Sequence, residues 1–236
     1  MTLNELAYDL LERVRAELSD DEYIDKRQLK FWIHNQRALW LRNELNRNRT
    51  IDSNIIQDLG CVELEVVDAS ACSDIPVGCS VLRTIKDIPN TIELHNKTLI
   101  TRIGPLDQSI PDFTFTSHER AIFSGNGRYN VKHVYAYLLN NKMYLKFDEE
   151  CNLEAKMLTH VNIRGVFEDP TEVATFTDSD GQACYSDDEE YPLNRWMYNY
   201  IKDAIVKADL SNMIMLPTDS TNNANIELSG LQDGKG

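Results

Sequence analysis

Cysteine is scarce and odd in number, with five in 236 residues. That excludes a disulfide scaffold and suits a reducing compartment. No run of about 18 apolar residues occurs, so no membrane-spanning helix is expected. Positive charge is in short supply. Lys and Arg total 24 against 38 Asp and Glu, a net charge of −14 with a pI near 4.7. Phosphate binding needs excess positive charge, so a general nucleic-acid coat is excluded. No two of the five histidines lie within five residues of each other, so H-E-x-x-H chemistry is absent, and so is G-x-S-x-G. The start of the chain carries Glu5, Asp9 and Glu12 inside its apolar stripe, unlike a signal peptide. What the chain does have is 42% hydrophobic residues, enough for a core. The expectation is a soluble, acidic protein made in the cytosol.

Residues 1–58 read as a helical hairpin. Leu3, Leu6, Ala7, Leu10, Val14 and Leu18 fall at helical spacing, and Thr2 with Glu5 makes a T-x-x-E capping box. Ser19-Asp20-Asp21 breaks this helix. A second is predicted over Asp25–Leu45, with Asp25 and Gln28 as a weaker box. Leu29, Trp32, Ile33, Gln36 and Trp40 share one face. Phe31, Ala38 and Leu45 lie nearly opposite. A helix apolar on two faces sits between two layers or packs on a second chain.

Residues 59–177 switch to a period of two. Strands are expected at Val62–Val67, Thr91–His95, Thr98–Ile103, Asp112–Thr116, Lys132–Leu139, Lys142–Phe147, Leu158–Phe167 and Thr171–Phe176. Turn signals at His95-Asn96-Lys97, Gly104-Pro105, Asn126-Gly127 and Asn140-Asn141 separate them. This spacing predicts a mostly antiparallel β-sandwich or barrel joined to the helices, an α+β fold.

Residues 178–210 read as an acidic loop and a closing helix. Pro192 suits a first helical turn, and Leu193, Trp196, Met197, Tyr200, Ile201, Ala204, Ile205 and Ala208 form a stripe. That stripe is expected to pack on the N-terminal pair as a three-helix bundle. Residues 211–236 are a polar tail behind the short apolar run Met213–Leu216, either loose or docked on a partner.

Signals for chemistry are weak. Cys61, Cys72 and Cys79 lack knuckle spacing, so buried or loop thiols are expected. Asp178-Ser179-Asp180-Gly181 has its glycine too early for a calcium loop. Ser124-Gly125-Asn126-Gly127-Arg128 lacks the lysine of a phosphate loop and reads as a turn. Glu154-Ala155-Lys156 is an E-x-K of the kind some metal-dependent nucleases use after an upstream carboxylate, but Asp112 stands 42 residues upstream, an awkward gap. No catalytic residue, cofactor or metal is therefore expected.

Charge is unevenly placed. Residues 24–49 hold seven bases (Lys26, Arg27, Lys30, Arg37, Arg42, Arg47 and Arg49) against Asp25 and Glu44, a local +5. Residues 148–190 hold thirteen acids against Lys156 and Arg164, a local −11. Each is a solvated face in the simplest reading. Together they also suit head-to-tail subunit contacts.

Residues 1–15, the stretch from Ser19 to Asp68, GCSVLRTIKDIPNTIELHNKTLITRIGPLD and FSGNGRYN resemble a virion ring protein of crAss-like bacteriophages. The likeness extends over residues 1–210 and also points to the head–tail adaptor, or connector, of short-tailed phages. The resemblance implies a helical bundle on a β-sandwich, assembled as a dodecameric ring beneath the portal. It implies a virion location in the tail or neck, with assembly in the bacterial host cytoplasm. The implied partners are further copies of the chain, the portal, other ring or tail proteins, and genomic DNA that passes without sequence-specific binding. No membrane and no enzyme activity are implied. An acidic ring repels phosphate and lets DNA slide. Subunit or portal contacts are then expected at Phe31, Arg37, Ala38, Arg42, Leu45 and Arg47 and, in the tail, at Met213, Ile214 and Leu216. A tail-tube or neck component further from the capsid is the alternative, and a nuclease is the alternative of another class.

Overall fold

The computed structural model describes residues 1–15, 24–47, 50–68, 80–95, 97–107, 110–121, 133–147 and 157–210. Helix α1 spans Leu3–Arg15. Its start is the capping box: Thr2 N–H donates to Glu5 Oε2 at 3.0 Å, and Glu5 N–H donates to Thr2 Oγ1 at 3.1 Å. Helix α2 spans Lys26–Asn46, capped by Asp25, whose carboxylate accepts from Arg27 N–H. Leu3, Leu6, Leu10 and Val14 of α1 and Leu29, Trp32 and Ile33 of α2 are buried in the main core.

Among the described residues eight strands follow: β1 (Gln57–Asp58), β2 (Val62–Asp68), β3 (Ser80–Thr84), β4 (Ile100–Gly104), β5 (Thr114–Phe115), β6 (Tyr135–Leu139), β7 (Lys142–Lys146) and β8 (His160–Gly165). A four-residue helix, α3 (His118–Ala121), precedes β6. The sheet order is β1-β8-β2-β3-β7-β6-β5, and β4 also pairs with β8. All pairings are antiparallel except β5 with β6. Strand β2 changes partners along its length. Val62 and Glu63 face β8, whereas Leu64 to Asp68 face β3. This corner curls the sheet into a half-barrel. The free end of the curl returns toward its start, because Phe113 N–H donates to the Ile103 carbonyl at the end of β4. Inward residues such as Leu82, Ala136, Met143, Leu145, Val161 and Ile163 join the same core as the helices.

The β6–β7 hairpin turns on Asn140 and Asn141, at φ 50° and 60°. Asparagine tolerates this left-handed conformation, and a two-residue turn of this hand matches strand twist. Thr91–His95 makes only isolated bridges, Thr91 with Phe167 and Glu93 with Thr98. The strand expected at Thr171–Phe176 is instead a 3₁₀ helix, Pro170–Thr175. Asp169 caps it by accepting from Thr171 N–H at 2.8 Å, and Pro170 enters its first turn. A capping aspartate followed by proline outweighs the β-branched composition.

The closing helix α4 spans Met197–Ala204 and widens into a π-helical turn over Ile205–Leu210. It begins later than Pro192 because the preceding backbone is already committed. Tyr191 N–H donates to the Met1 carbonyl, and the Pro192 carbonyl accepts from Arg37. Helix α4 lies against both N-terminal helices. Tyr198 OH and Lys202 Nζ donate to Asp9, Arg13 pairs with Asp203 at 3.3 Å, and Gln36 Nε2 donates to Asp209 at 3.0 Å.

Candidate interaction surfaces

Helix α2 is held from beneath by a buried polar anchor. Arg37 is 0% exposed. Its Nε donates to the Pro192 carbonyl at 2.9 Å and its Nη1 to the Phe167 carbonyl at 2.8 Å. The guanidinium also lies 5.7 Å from the centre of the buried Tyr191 ring. One turn earlier, His34 Nδ1 is 2.9 Å from Tyr191 OH, and its Nε2 is 3.8 Å from Asp169. Burial holds the His34 imidazole below its ordinary value, against the pull of Asp169. Burial also pushes the Tyr191 hydroxyl well up. Arg37 therefore fixes the orientation of α2 and is not on the subunit surface as expected. Leu45 is buried too, in a second core cluster with Leu41, Ile55, Ile92, Leu99, Val166 and Met197. The helical spacing of His34, Arg37, Leu41 and Leu45 carried this signal, but the charge on Arg37 masked it.

The opposite face of α2 is open. Phe31 is 60% exposed and Leu39 54%. Asn35, Arg42 and Asn46 are exposed beside them, and Ala38 is half-buried. Among the described residues neither Arg27 nor Arg42 forms an ion pair, whereas Arg47 pairs with Glu44 at 3.4 Å. Phe31 and Arg42 thus face solvent on one side of α2, with Ala38 between them packed in part on the second core cluster. Met213, Ile214 and Leu216 lie outside the described residues.

The acidic stretch folds onto the basic helix of its own subunit. Lys30 Nζ lies 2.6 Å from Asp187 Oδ2. Asn4 Nδ2 donates to Asp188 at 2.8 Å, and the Met1 ammonium is 3.9 Å from Glu190. Part of the charge asymmetry expected to join neighbouring subunits is therefore satisfied internally.

Beside α2, Trp40 meets Trp196 edge-on at 5.1 Å and stacks on Tyr200 at 6.4 Å. Trp196 is 47% exposed, so the expected helical stripe is buried only in part. A groove of about 430 Å³ adjoins this cluster, lined by Trp40, Leu45, Thr50, Ile55, Trp196 and Met197.

At the β end, Asp58 accepts from Asn162 and Arg164, and Asp112 accepts from Arg102 Nε at 2.8 Å. The Asp112 carboxylate is engaged, and Glu154 and Lys156 lie outside the described residues. Asp178 Oδ1 accepts the backbone N–H groups of Asp180 and Gln182 at 2.9 Å, which organises its own turn. Burial raises both the Cys61 and Cys184 thiols, Cys184 to about 11, so both stay protonated at neutral pH. Among the described residues no group of three or more His, Cys, Asp or Glu is placed to hold a metal ion. Among the same residues no helix is long and apolar enough to cross a membrane.

The chain thus joins a helical region to a curled half-barrel sheet and leaves Phe31 and Leu39 exposed on α2. The chain belongs to the phage tail ring protein 2 family, whose model matches residues 5–234. It is a ring component of a crAss-like phage virion. No curated protein matches the chain.

Proposed function

We propose that the chain is the subunit of a head–tail adaptor, a dodecameric ring stacked beneath the portal and surrounding the DNA channel. Membership of a tail ring family supports a ring subunit. The observation that carries a subunit contact is the outer face of α2, where Phe31 and Leu39 stand in solvent on a rigidly anchored helix. Phe31, Ala38 and Arg42 contribute to that contact, and Met213, Ile214 and Leu216 reach the portal or an adjacent ring. The ring forms in the host cytoplasm and performs no chemical step. Its net charge of −14 per subunit keeps DNA sliding without sequence-specific contact.

A position further from the capsid, in the neck or tail tube, is the second reading, and membership of a tail ring family supports it. Cryo-electron microscopy of the intact virion separates the two by the height of this ring along the tail axis. Negative-stain images of the purified chain are expected to show rings with a central opening. A monomer at every soluble concentration, with magnesium-dependent cleavage of plasmid DNA, would overturn the structural reading.

A further inference from the structure

Two exposed helix faces of this subunit are complementary to each other. On α2, Phe31 and Leu39 stand out from the surface, with Arg27 one turn before Phe31 and Arg42 one turn after Leu39. On α1, Tyr8 is 59% exposed, with Glu5 one turn before it and Glu12 one turn after. Asp188, held beside α1 by Asn4, adds to the acidic side. Arg15 lies 3.0 Å from Glu12 and offsets one charge, leaving Glu5 and Asp188 to set the sign. Each face is an apolar projection flanked by charge, and the two faces carry opposite signs.

We propose that adjacent copies join head to tail, the α2 face of one copy seating on the α1 face of the next. The inference rests on the ring reading and names the surfaces that make the ring. Two distinct patches on one chain generate a heterologous contact, the kind that closes into a ring. An α2 face against an α2 face would bring Arg27 and Arg42 of one copy onto those of the other, and α1 against α1 would oppose carboxylates. Like charges across an interface suppress such pairings.

The test uses the full chain and two charge-reversed variants, Arg27→Glu with Arg42→Glu, and Glu12→Arg with Asp188→Arg. Oligomeric state is measured by sedimentation velocity at low salt. Thermal melts confirm that each variant is folded. Each variant alone should associate at least roughly tenfold more weakly than wild type. Mixed one to one, the two should recover the oligomer, because the acidic α2 face of one then meets the basic α1 face of the other. Recovery on mixing supports the head-to-tail contact. Failure to recover, or an α1 variant that still assembles alone, overturns it. Loss of portal binding with the oligomer intact also overturns it, by assigning the α2 face to another protein. A wild-type chain that stays monomeric overturns the ring reading itself, which is a different result from a wild-type ring indifferent to these substitutions.

Discussion

Lys30 and Asp187, 157 residues apart in the chain, form a 2.6 Å ion pair within one subunit. The pair ties the acidic loop before α4 to the N-terminal half of α2. Half-exposed pairs of this kind contribute about 0–1 kcal/mol, so its importance is positional. It removes one base and one acid from the supply available to neighbours. Arg37 is removed by burial and Arg47 by its contact with Glu44. What remains on α2 is Lys26, Arg27 and Arg42, and of these the two arginines lie on the side of Phe31 and Leu39.

Arginines of α2 should accordingly divide into two classes. Arg37→Met keeps the aliphatic stem but leaves the Phe167 and Pro192 carbonyls unpaired in the interior. The expected loss is on the order of 2 kcal/mol, from the cost of unsatisfied buried acceptors. Arg37→Glu should not fold. Arg42→Glu should melt within about 0.5 kcal/mol of wild type, as exposed substitutions do. Denaturant titrations of the three variants decide this. Equal midpoints for Arg37→Met and Arg42→Glu would show that the buried anchor contributes nothing.

The three tryptophans give a graded series. Trp32 is 8% exposed and sits in the main core, so Trp32→Ala should cost about 3–5 kcal/mol. Trp196 is nearly half exposed and touches Trp40 and Tyr200 edge-on, so Trp196→Ala should lose only about 1 kcal/mol of aromatic contact. Trp40, half-buried between them, should fall in between. A Trp196→Ala variant as unstable as Trp32→Ala would contradict the exposed position of that ring.

Much of this architecture was legible in local pattern. Thr2 and Glu5 announce the start of α1, Asp25 the start of α2, and Asn140-Asn141 the β6–β7 hairpin. Each signal acts through bonds formed within four residues. The parts that were not legible depend on partners far away in the chain. Strand β3 went unseen because its inward residues are Leu82 and Thr84, and a threonine breaks the apolar alternation. Thr84 is tolerated inside because its Oγ1 accepts Met143 N–H from the neighbouring strand β7. Arg37 read as a surface charge because nothing nearby in sequence reveals that Phe167 and Pro192 offer it carbonyls. The start of α4 was misplaced for the same reason, since the Pro192 carbonyl is already bonded to Arg37. Of the expected contact residues on α2, Phe31 and Arg42 are exposed, whereas Ala38 is half-buried against the second core cluster.

Stability should fall in mild acid through His34. Burial holds its folded-state value below the ordinary value of about 6.5, so the unfolded chain binds the proton first. Protons taken up by the unfolded state favour unfolding. The contribution is therefore intact above about pH 6.5 and is lost as pH drops toward the folded-state value. Asp9 acts in a lower window. Its hydrogen bonds from Lys202 and Tyr198 hold it below 3.8, so its contribution is lost only under stronger acid. Thermal midpoints measured between about pH 7.5 and 5.5 should drop for wild type and stay nearly level for His34→Gln. Parallel slopes for the two proteins would remove His34 as the source.

Gly60 and Gly181 provide the sharpest backbone contrast. Both have positive φ, 64° and 78°. A Cβ on Gly181 meets nothing within 4 Å, so Gly181→Ala should cost only the conformational penalty of about 1–2 kcal/mol. A Cβ on Gly60 would lie 2.6 Å from the Thr177 carbonyl oxygen and 2.8 Å from Cys184 Sγ. The sulfur can rotate away, but the carbonyl cannot, because it accepts Cys61 N–H at 3.0 Å. Gly60 also joins β1 to β2 where both run along β8, so relieving the clash would push the Thr177–Cys184 segment away from these strands. Gly60→Ala should thus lose the same conformational penalty plus about 1–3 kcal/mol of overpacking. Unfolding in urea reads the difference directly. Equal losses for Gly60→Ala and Gly181→Ala would show that the Thr177 carbonyl yields to the added methyl group.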